Sequence, residues 1–163
     1  MNLTAERLRT VLSYEPLTGV FRWKEKTSKF SHVVIGQIAG GTEPDGRRAI
    51  RIDGHMHWAH RLVWLYMKGD MPMGEIDHIN GDPGDNRWSN LRLADRRINC
   101  QNHRKAFRQN RTGLIGVTPK RMRFEAGITV NGRRRYLGSF ATADEAHAAY
   151  VNAKRQLHEG CTL

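Results

Sequence analysis

Residues 80–85, Asn-Gly-Asp-Pro-Gly-Asp, admit neither helix nor strand. Two glycines and a proline within six positions break any hydrogen-bond ladder, and the Asn and Asp side chains favour turns. The flanks are strand-like: Glu75 to Ile79 before the break, Asn90 to Leu93 after it. Asp95 is placed to cap a following helix that carries Asn99 and His103. The expected product is a hairpin with a helix laid across it, in which Asp77 and His78 face Asn99. Asn99 and His103, four apart, are expected on one helical face. Asp82 and Asp85 read as Asx-turn formers, and Trp88 as a plug beneath the loop.

Upstream, Thr4 as N-cap and Leu8, Val11 and Leu12 at helical spacing predict a first helix ending near Ser13. Pro16 and Gly19 mark a turn, and Val20, Phe21 and Trp23 a strand. Residues 49–52 predict another strand, closed by an Asp53-Gly54 hairpin turn, which makes this region a small β-rich platform. Trp58, Leu62, Leu65 and Tyr66 recur at helical intervals up to Gly69 and predict a mostly buried helix. His60 reads as a packing residue between this helix and the hairpin, with phosphate or active-site contact as the alternative. His55, His57, His147 and His158 read as surface residues.

From Arg104 to Thr112 the apolar content falls, and a linker is expected. Beyond it come three strand patterns, Ile115 to Lys120, Arg123 to Val130 and Arg133 to Phe140, the last two joined by Asn131-Gly132. Thr142 and Glu145 form a capping box for a helix with Ala146, Tyr150, Ala153 and Leu157 on one stripe and Gly160 marking its end. Phe124, Ala126, Ile128 and Val130 are expected under that helix, leaving Arg123, Glu125 and Thr129 outward. The whole is an α+β chain: a first domain over 1–104 with its hairpin-helix core at about 74–104, a basic linker at 105–112, and a small sheet-and-helix domain over 113–163.

The net charge of +11 is confined to one stretch. Arg92 to Arg135 holds thirteen Lys and Arg against two acids, and the remainder of the chain balances fourteen against fourteen. Segregated positive charge is suited to phosphate neutralisation and counterion release, whereas an ordinary solvated surface intersperses both signs. A polyanion is therefore the expected partner. A membrane is not, since the arginines lie in strand and turn segments and no run of about 18 apolar residues exists. The opening residues lack a signal-peptide core, and a soluble intracellular protein is expected. Cys100 and Cys161 are too few for a disulfide framework or a four-cysteine zinc site, so no structural zinc is expected.

Phosphodiester hydrolysis needs a base for water, a cation for the charge of the transition state, and a group that orients the base. His78 has the right pKa range for the base. Asp77 and Asn99 offer hard oxygens, suited to a single Mg²⁺ or Mn²⁺. Asn90 is placed to hydrogen-bond the imidazole or the loop backbone.

The order Asp77-His78, Asn90, Asn99, with spacings of 12 and 9, together with Ala59-His60-Arg61 and Asn80-Gly81-Asp82, resembles the HNH nucleases, in particular their phage and intron homing-endonuclease branch. The resemblance spans residues 1 to about 103. It implies a ββα-metal active site that cleaves double-stranded DNA with one divalent ion, His78 as general base, Asp77 and Asn99 as metal ligands, and Asn90 as the central Asn. Many relatives carry His where this chain has Asn99, and His103 one turn later is the alternative ligand. Residues 113–150, with Gly116-Val117, Ile128 to Gly132, Tyr136 to Phe140 and Ala146 to Tyr150, resemble the Apetala-type DNA-binding domain, which lays a three-stranded sheet in the major groove. That resemblance makes Lys120, Arg121, Arg123, Glu125 and Arg135 candidate DNA contacts, to which the basic stretch adds Arg104, Arg111 and Arg133. The expected protein is a DNA endonuclease acting as monomer or homodimer in a bacterial or phage-infected cell. The alternative is a non-catalytic DNA-binding protein that keeps the hairpin and helix as scaffold.

Overall fold

Thr4 starts the first helix as its spacing suggests: its side-chain oxygen accepts from the backbone N–H of Arg7 at 3.2 Å and opens α1, Ala5–Val11. The computed structural model describes residues 3–27, 32–104 and 106–162. Lys105, at the head of the expected linker, lies outside them. The helix stops two residues earlier than its apolar spacing suggests. Leu12 turns extended and begins β1, Leu12–Glu15, which pairs with β2, Val20–Trp23. Strand pairing with Trp23 keeps Leu12 fully buried without another helical turn.

β3 (Gly41–Thr42), β4 (Arg48–Ile52) and β5 (His55–Trp58) form an antiparallel sheet in chain order. The β4–β5 turn is Asp53-Gly54 with both residues at positive φ, 47° and 84°, as a two-residue hairpin requires. α2, Ala59–Lys68, ends at Gly69 in the left-handed region. Leu8, Val11, Phe21, Ile50, Ile52, Leu62 and Val63 form a core that excludes solvent, and Ile76 and Leu91 join it. Those last two belong to β6 (Glu75–His78) and β7 (Leu91–Ala94), a two-stranded antiparallel ribbon. Two strands alone are marginal in water, so the ribbon depends on this core.

The chain divides into two compact units, Met1–Asp95 and Arg96–Leu163. The second contains α3 (Arg96–Gln101), an antiparallel sheet of β8 (Val117–Lys120), β9 (Arg123–Val130) and β10 (Arg133–Phe140) in the order β10-β9-β8, and α4 (Ala143–Leu157). β8 starts later than the apolar run at Ile115. Gly116 is left-handed, φ 79°, and so close to the Tyr150 ring that a Cβ there would lie 2.1 Å from it. Thr142 and Glu145 form the expected capping box, and Ala126, Ile128 and Val130 are buried beside Ala146 and Tyr150. α4 ends at Leu157 with His158 as C-cap, so Gly160 does not terminate it. His158 is half-buried, with Nε2 2.9 Å from the Thr129 carbonyl. The architecture is α+β, and among the described residues no helix is long and apolar enough to cross a membrane.

Candidate active site and basic sheet

In β6, Ile76, Asp77 and His78 are all buried, although alternate residues of a strand face opposite sides. Ile76 meets the core, and Asp77 solves its burial by pairing. Its register partner is Arg92, whose Nε and Nη2 lie 2.9 and 2.7 Å from Asp77 Oδ2. With side chains 28% and 6% exposed, this is an ion pair shielded from water, in which both guanidinium nitrogens hold the one oxygen Oδ2.

His78 closes the strand, and the loop after it is held by Asn90. The Asn90 backbone carbonyl accepts from Ile79 N at 2.8 Å. Its side-chain oxygen accepts from Asn80 N at 2.9 Å, and its amide nitrogen donates to Asn80 Oδ1 and to the Asp85 carbonyl at 3.0 and 2.7 Å. Of the two partners the sequence leaves open for Asn90, these bonds go to the loop. Asp82 accepts from Gly84 N at 2.9 Å and Asp85 from Arg87 N at 3.2 Å, the Asx turns expected of them. The Arg87 guanidinium beside Asp85 holds its carboxyl below the usual range.

The imidazole has a neighbour that sequence reasoning passes over. Asn86 is 2% exposed, and its Oδ1 lies 3.4 Å from His78 Nε2. The other end of that amide donates to the Gly84 carbonyl at 3.1 Å, which sets which atom faces the ring. An amide oxygen only accepts, so this contact is a hydrogen bond in the tautomer with the proton on Nε2 and the lone pair on Nδ1. Nothing in composition singles Asn86 out; a polar side chain buried in an Asp- and Gly-rich loop is the signal it leaves.

His60, on the first turn of α2, meets the His78 ring edge-on with centroids 5.4 Å apart. Trp58 stacks on His60 at 6.5 Å, and Arg47 lies over Trp58 at 5.6 Å. Burial pushes the His60 pKa down to about 4, helped by the charge of His78 and Arg47. Burial also lowers the His78 pKa, against the Asn86 hydrogen bond and the Asp77 charge, which raise it. Both rings are therefore neutral near pH 7, and a neutral imidazole is what a proton acceptor needs. The Ala59-His60-Arg61 segment carried this signal, since it lies in the motif.

The structure places the other expected residues as follows. Asn99 lies on α3, in the second unit, half-buried. The helix ends at Gln101, so His103 does not share a helical face with Asn99; it lies beyond the helix, exposed, stacked on Phe107 at 4.9 Å. The chain leaves the helix there because buried Gln101 and Asn102 are engaged by polar partners. Arg104 donates to the Thr162 carbonyl at 2.8 Å, and Arg111 is exposed in irregular chain.

On the sheet, strand register assigns faces. Thr118 pairs with Glu125, Lys120 with Arg123 and Ser139 with Glu125, all opposite to the helix-covered side. Lys120 Nζ lies 2.9 Å from Glu125 Oε1, and Arg123 Nε 3.0 Å from Ser139 Oγ. Arg121 occupies the β8–β9 turn at φ 53°. Arg134 pairs with Thr129 and Tyr136 with Gly127, so both belong to this open face; within the Arg133 to Arg135 run the register turns Arg134 outward, and Tyr136 was missed as a contact. Arg133 and Arg135, exposed on the edge strand, register with Val130 and Ile128 on the other side. A bulge at Leu137 shifts the alternation and brings Ser139 under Arg123.

A family model described as HNH endonuclease matches residues 57–101, from β5 through α3. Protein 3.8 of Escherichia phage T7 is 33% identical to this chain over 104 residues, 61% of this chain and 83% of that protein. No solved structure matches the chain. With that degree of identity over most of the phage protein, the chain belongs to the family of Protein 3.8, and residues 57–101 are its HNH endonuclease domain.

Proposed function

We propose that the protein is a divalent-metal-dependent DNA endonuclease of the phage homing type, in which His78 is the general base. The observation that carries this reading is the buried His78 imidazole with Nε2 turned to Asn86, next in sequence to the Arg92-held Asp77. His78 Nδ1 takes the proton of the attacking water. Asn86 keeps the ring in one tautomer and one orientation, and Asn90 keeps the loop beneath the ring from opening.

The donor set fits a hard divalent ion. Asp77 supplies a carboxylate, and Asn99, placed in the role by the motif spacing, supplies an amide oxygen. Among the described residues no three His, Cys, Asp or Glu cluster as metal ligands, so Mg²⁺ or Mn²⁺ would keep several waters beside Asp77. When bound, the ion neutralises charge on the scissile phosphate and the departing oxygen.

The basic open face of the β8–β10 sheet, with Lys120, Arg121, Arg123, Glu125, Arg134 and Tyr136, is proposed as an Apetala-type surface that holds double-stranded DNA. Arg104, Arg111, Arg133 and Arg135 would add phosphate contacts at its margins. Its support is the concentration of positive charge and a face left open opposite α4. The protein would act as a monomer or homodimer in a phage-infected or bacterial cell.

One observation favours a second reading. A carboxylate paired with a guanidinium, as Asp77 is with Arg92, suits a non-catalytic DNA-binding protein that keeps the HNH fold as scaffold. Plasmid nicking in Mg²⁺ or Mn²⁺, run beside a gel shift, separates the two. On the nuclease reading, His78→Ala lowers nicking by a factor on the order of 10²–10⁴ and leaves DNA affinity within twofold. Undiminished nicking by the variant removes His78 as base, and no nicking by the parent chain favours the scaffold.

A further inference from the structure

α3 is six residues long, well short of what holds a helix together by itself. Its one aliphatic side chain, Ile98, is only half-buried. Arg96, Arg97 and Cys100 are exposed, Ile98 and Asn99 half-buried, and the buried residues at its end are polar: Gln101 at 8% and Asn102 at 4% exposure. Both are gripped by the end of the chain. Gly160 N donates to Gln101 Oε1 at 2.9 Å, and Thr162 Oγ1 to Asn102 Oδ1 at 2.6 Å. The Thr162 carbonyl and hydroxyl in turn accept from Arg104 Nη2. Glu159 pairs with Arg97 at 2.9 Å on the surface. From α4, Lys154 is 1% exposed and spends its ammonium on the backbone carbonyl of His103, 2.6 Å away. Gly160 is glycine because the segment lies flat on the helix: a Cβ there would lie 2.4 Å from the Ile98 carbonyl oxygen and 3.0 Å from Gln101 Cβ.

Every bond in this set joins the end of the chain, or α4, to residues 97–104. The neighbouring His158 is the residue that reaches the sheet, at the Thr129 carbonyl. We infer that residues 159–162 and Lys154 form a clasp that positions α3 and with it Asn99, making Lys154, Gly160 and Thr162 positioning residues for DNA cleavage. The inference rests on the nuclease reading and deepens it: the segment after α4 is part of what sets the helix that completes the motif, while the open sheet face is separate from it. A buried ammonium is costly unless it is hydrogen-bonded, and the bond that satisfies Lys154 goes to the His103 carbonyl.

The test uses the whole chain, with Gly160→Ala as the wedge, Lys154→Met as a near-isosteric removal of one clasp bond, and Phe124→Leu as a core change in the separate cluster around Val117, Ala126 and Ala146. Hydrogen exchange reads the clasp without reference to activity. Peptides covering residues 97–103 should lose protection at least tenfold in Gly160→Ala and Lys154→Met, while β9 and β10 keep theirs. Phe124→Leu should leave 97–103 as in the parent. In parallel, the Mn²⁺ concentration for half-maximal nicking should rise at least fivefold in the two clasp variants, with DNA affinity in a gel shift unchanged within twofold. Lys154→Met decides alone if Gly160→Ala does not fold. Unchanged protection of 97–103 in the clasp variants overturns the inference, as does equal loss in Phe124→Leu. Loss of protection with an unmoved Mn²⁺ dependence overturns the positioning role. A parent chain that does not nick overturns the nuclease reading, and the exchange result then still decides whether the clasp exists.

Discussion

His60 is held neutral by burial at a pKa of about 4, against 6.5 for an open imidazole, and this ties the stability of the first unit to pH. The unfolded chain accepts a proton on this ring at a higher pH than the folded one does. Stability is therefore unaffected above about pH 6.5 and is lost as the pH falls from there toward 4. At 1.36 kcal/mol per unit, the full difference is about 3 kcal/mol, and the part lost by pH 4.5 is about 2.5 kcal/mol. His78, shifted in the same direction, adds to the slope of the parent chain. Comparison with His60→Gln, which keeps a neutral polar side chain of similar size, isolates the His60 share. All four tryptophans lie in the first unit, so urea unfolding followed by tryptophan fluorescence reports it. Between pH 7 and 4.5 the parent midpoint should drop by roughly 1–2 M urea more than that of His60→Gln, using about 1–3 kcal/mol per molar. Parallel curves for the two proteins would refute the claim that His60 is buried uncharged against His78.

Asn86→Ala should cut nicking by roughly tenfold or more with unchanged DNA affinity, since it frees the His78 ring without removing it; equal rates would mean that the 3.4 Å contact does not orient the base. Asn99→Ala should raise the metal requirement for nicking and His103→Ala should not, read from Mn²⁺ titrations; the reverse pattern would make His103 the ligand. Arg123→Ala and Arg134→Ala should each reduce the slope of log affinity against log salt by about one, and Arg133→Ala by less, a direct check on the face assigned by register. Gly19→Ala should destabilise the first unit by roughly 1–3 kcal/mol in the same urea assay, because its φ of 73° is left-handed and a Cβ would lie 2.4 Å from Arg87 N.

The strands and caps were legible because their chemistry is local. Asp53-Gly54, Thr142 with Glu145, and the alternation along β9 each involve residues a few positions apart. The first helix was overextended because Leu12 satisfies a helical spacing and a strand pairing equally, and the partner that decides, Trp23, is eleven residues away. Arg92 was read as one charge in a basic stretch; its role follows from lying across a ribbon from Asp77, fifteen residues back. Arg133 and Arg135 were chosen ahead of Arg134 because a run of three arginines shows no face until β10 is set in register against β9.

The same dependence on distant partners accounts for the long lead before the motif. A two-stranded ribbon with an irregular loop cannot hold an imidazole to one tautomer by itself. The β1–β2 hairpin braces that loop: Tyr14 Oη donates to the Asn86 carbonyl at 2.8 Å, Trp88 N donates to the Pro16 carbonyl at 3.2 Å, and Gly19 lets the hairpin turn lie against Asn86 and Arg87. Trp64 of α2 packs on Trp88 at 5.3 Å, below the loop. Asn86 is thus fixed at its backbone by the hairpin and at its side chain by Gly84, and only a residue fixed at both ends can orient a neighbouring ring. Because Tyr14 is buried in the same aromatic cluster as Phe21 and Tyr66, any change that loosens that cluster reaches the His78 ring through one hydrogen bond and one amide. The platform and the hairpin therefore form one mechanical piece, and the orientation of the base is a property of the first core rather than of the motif.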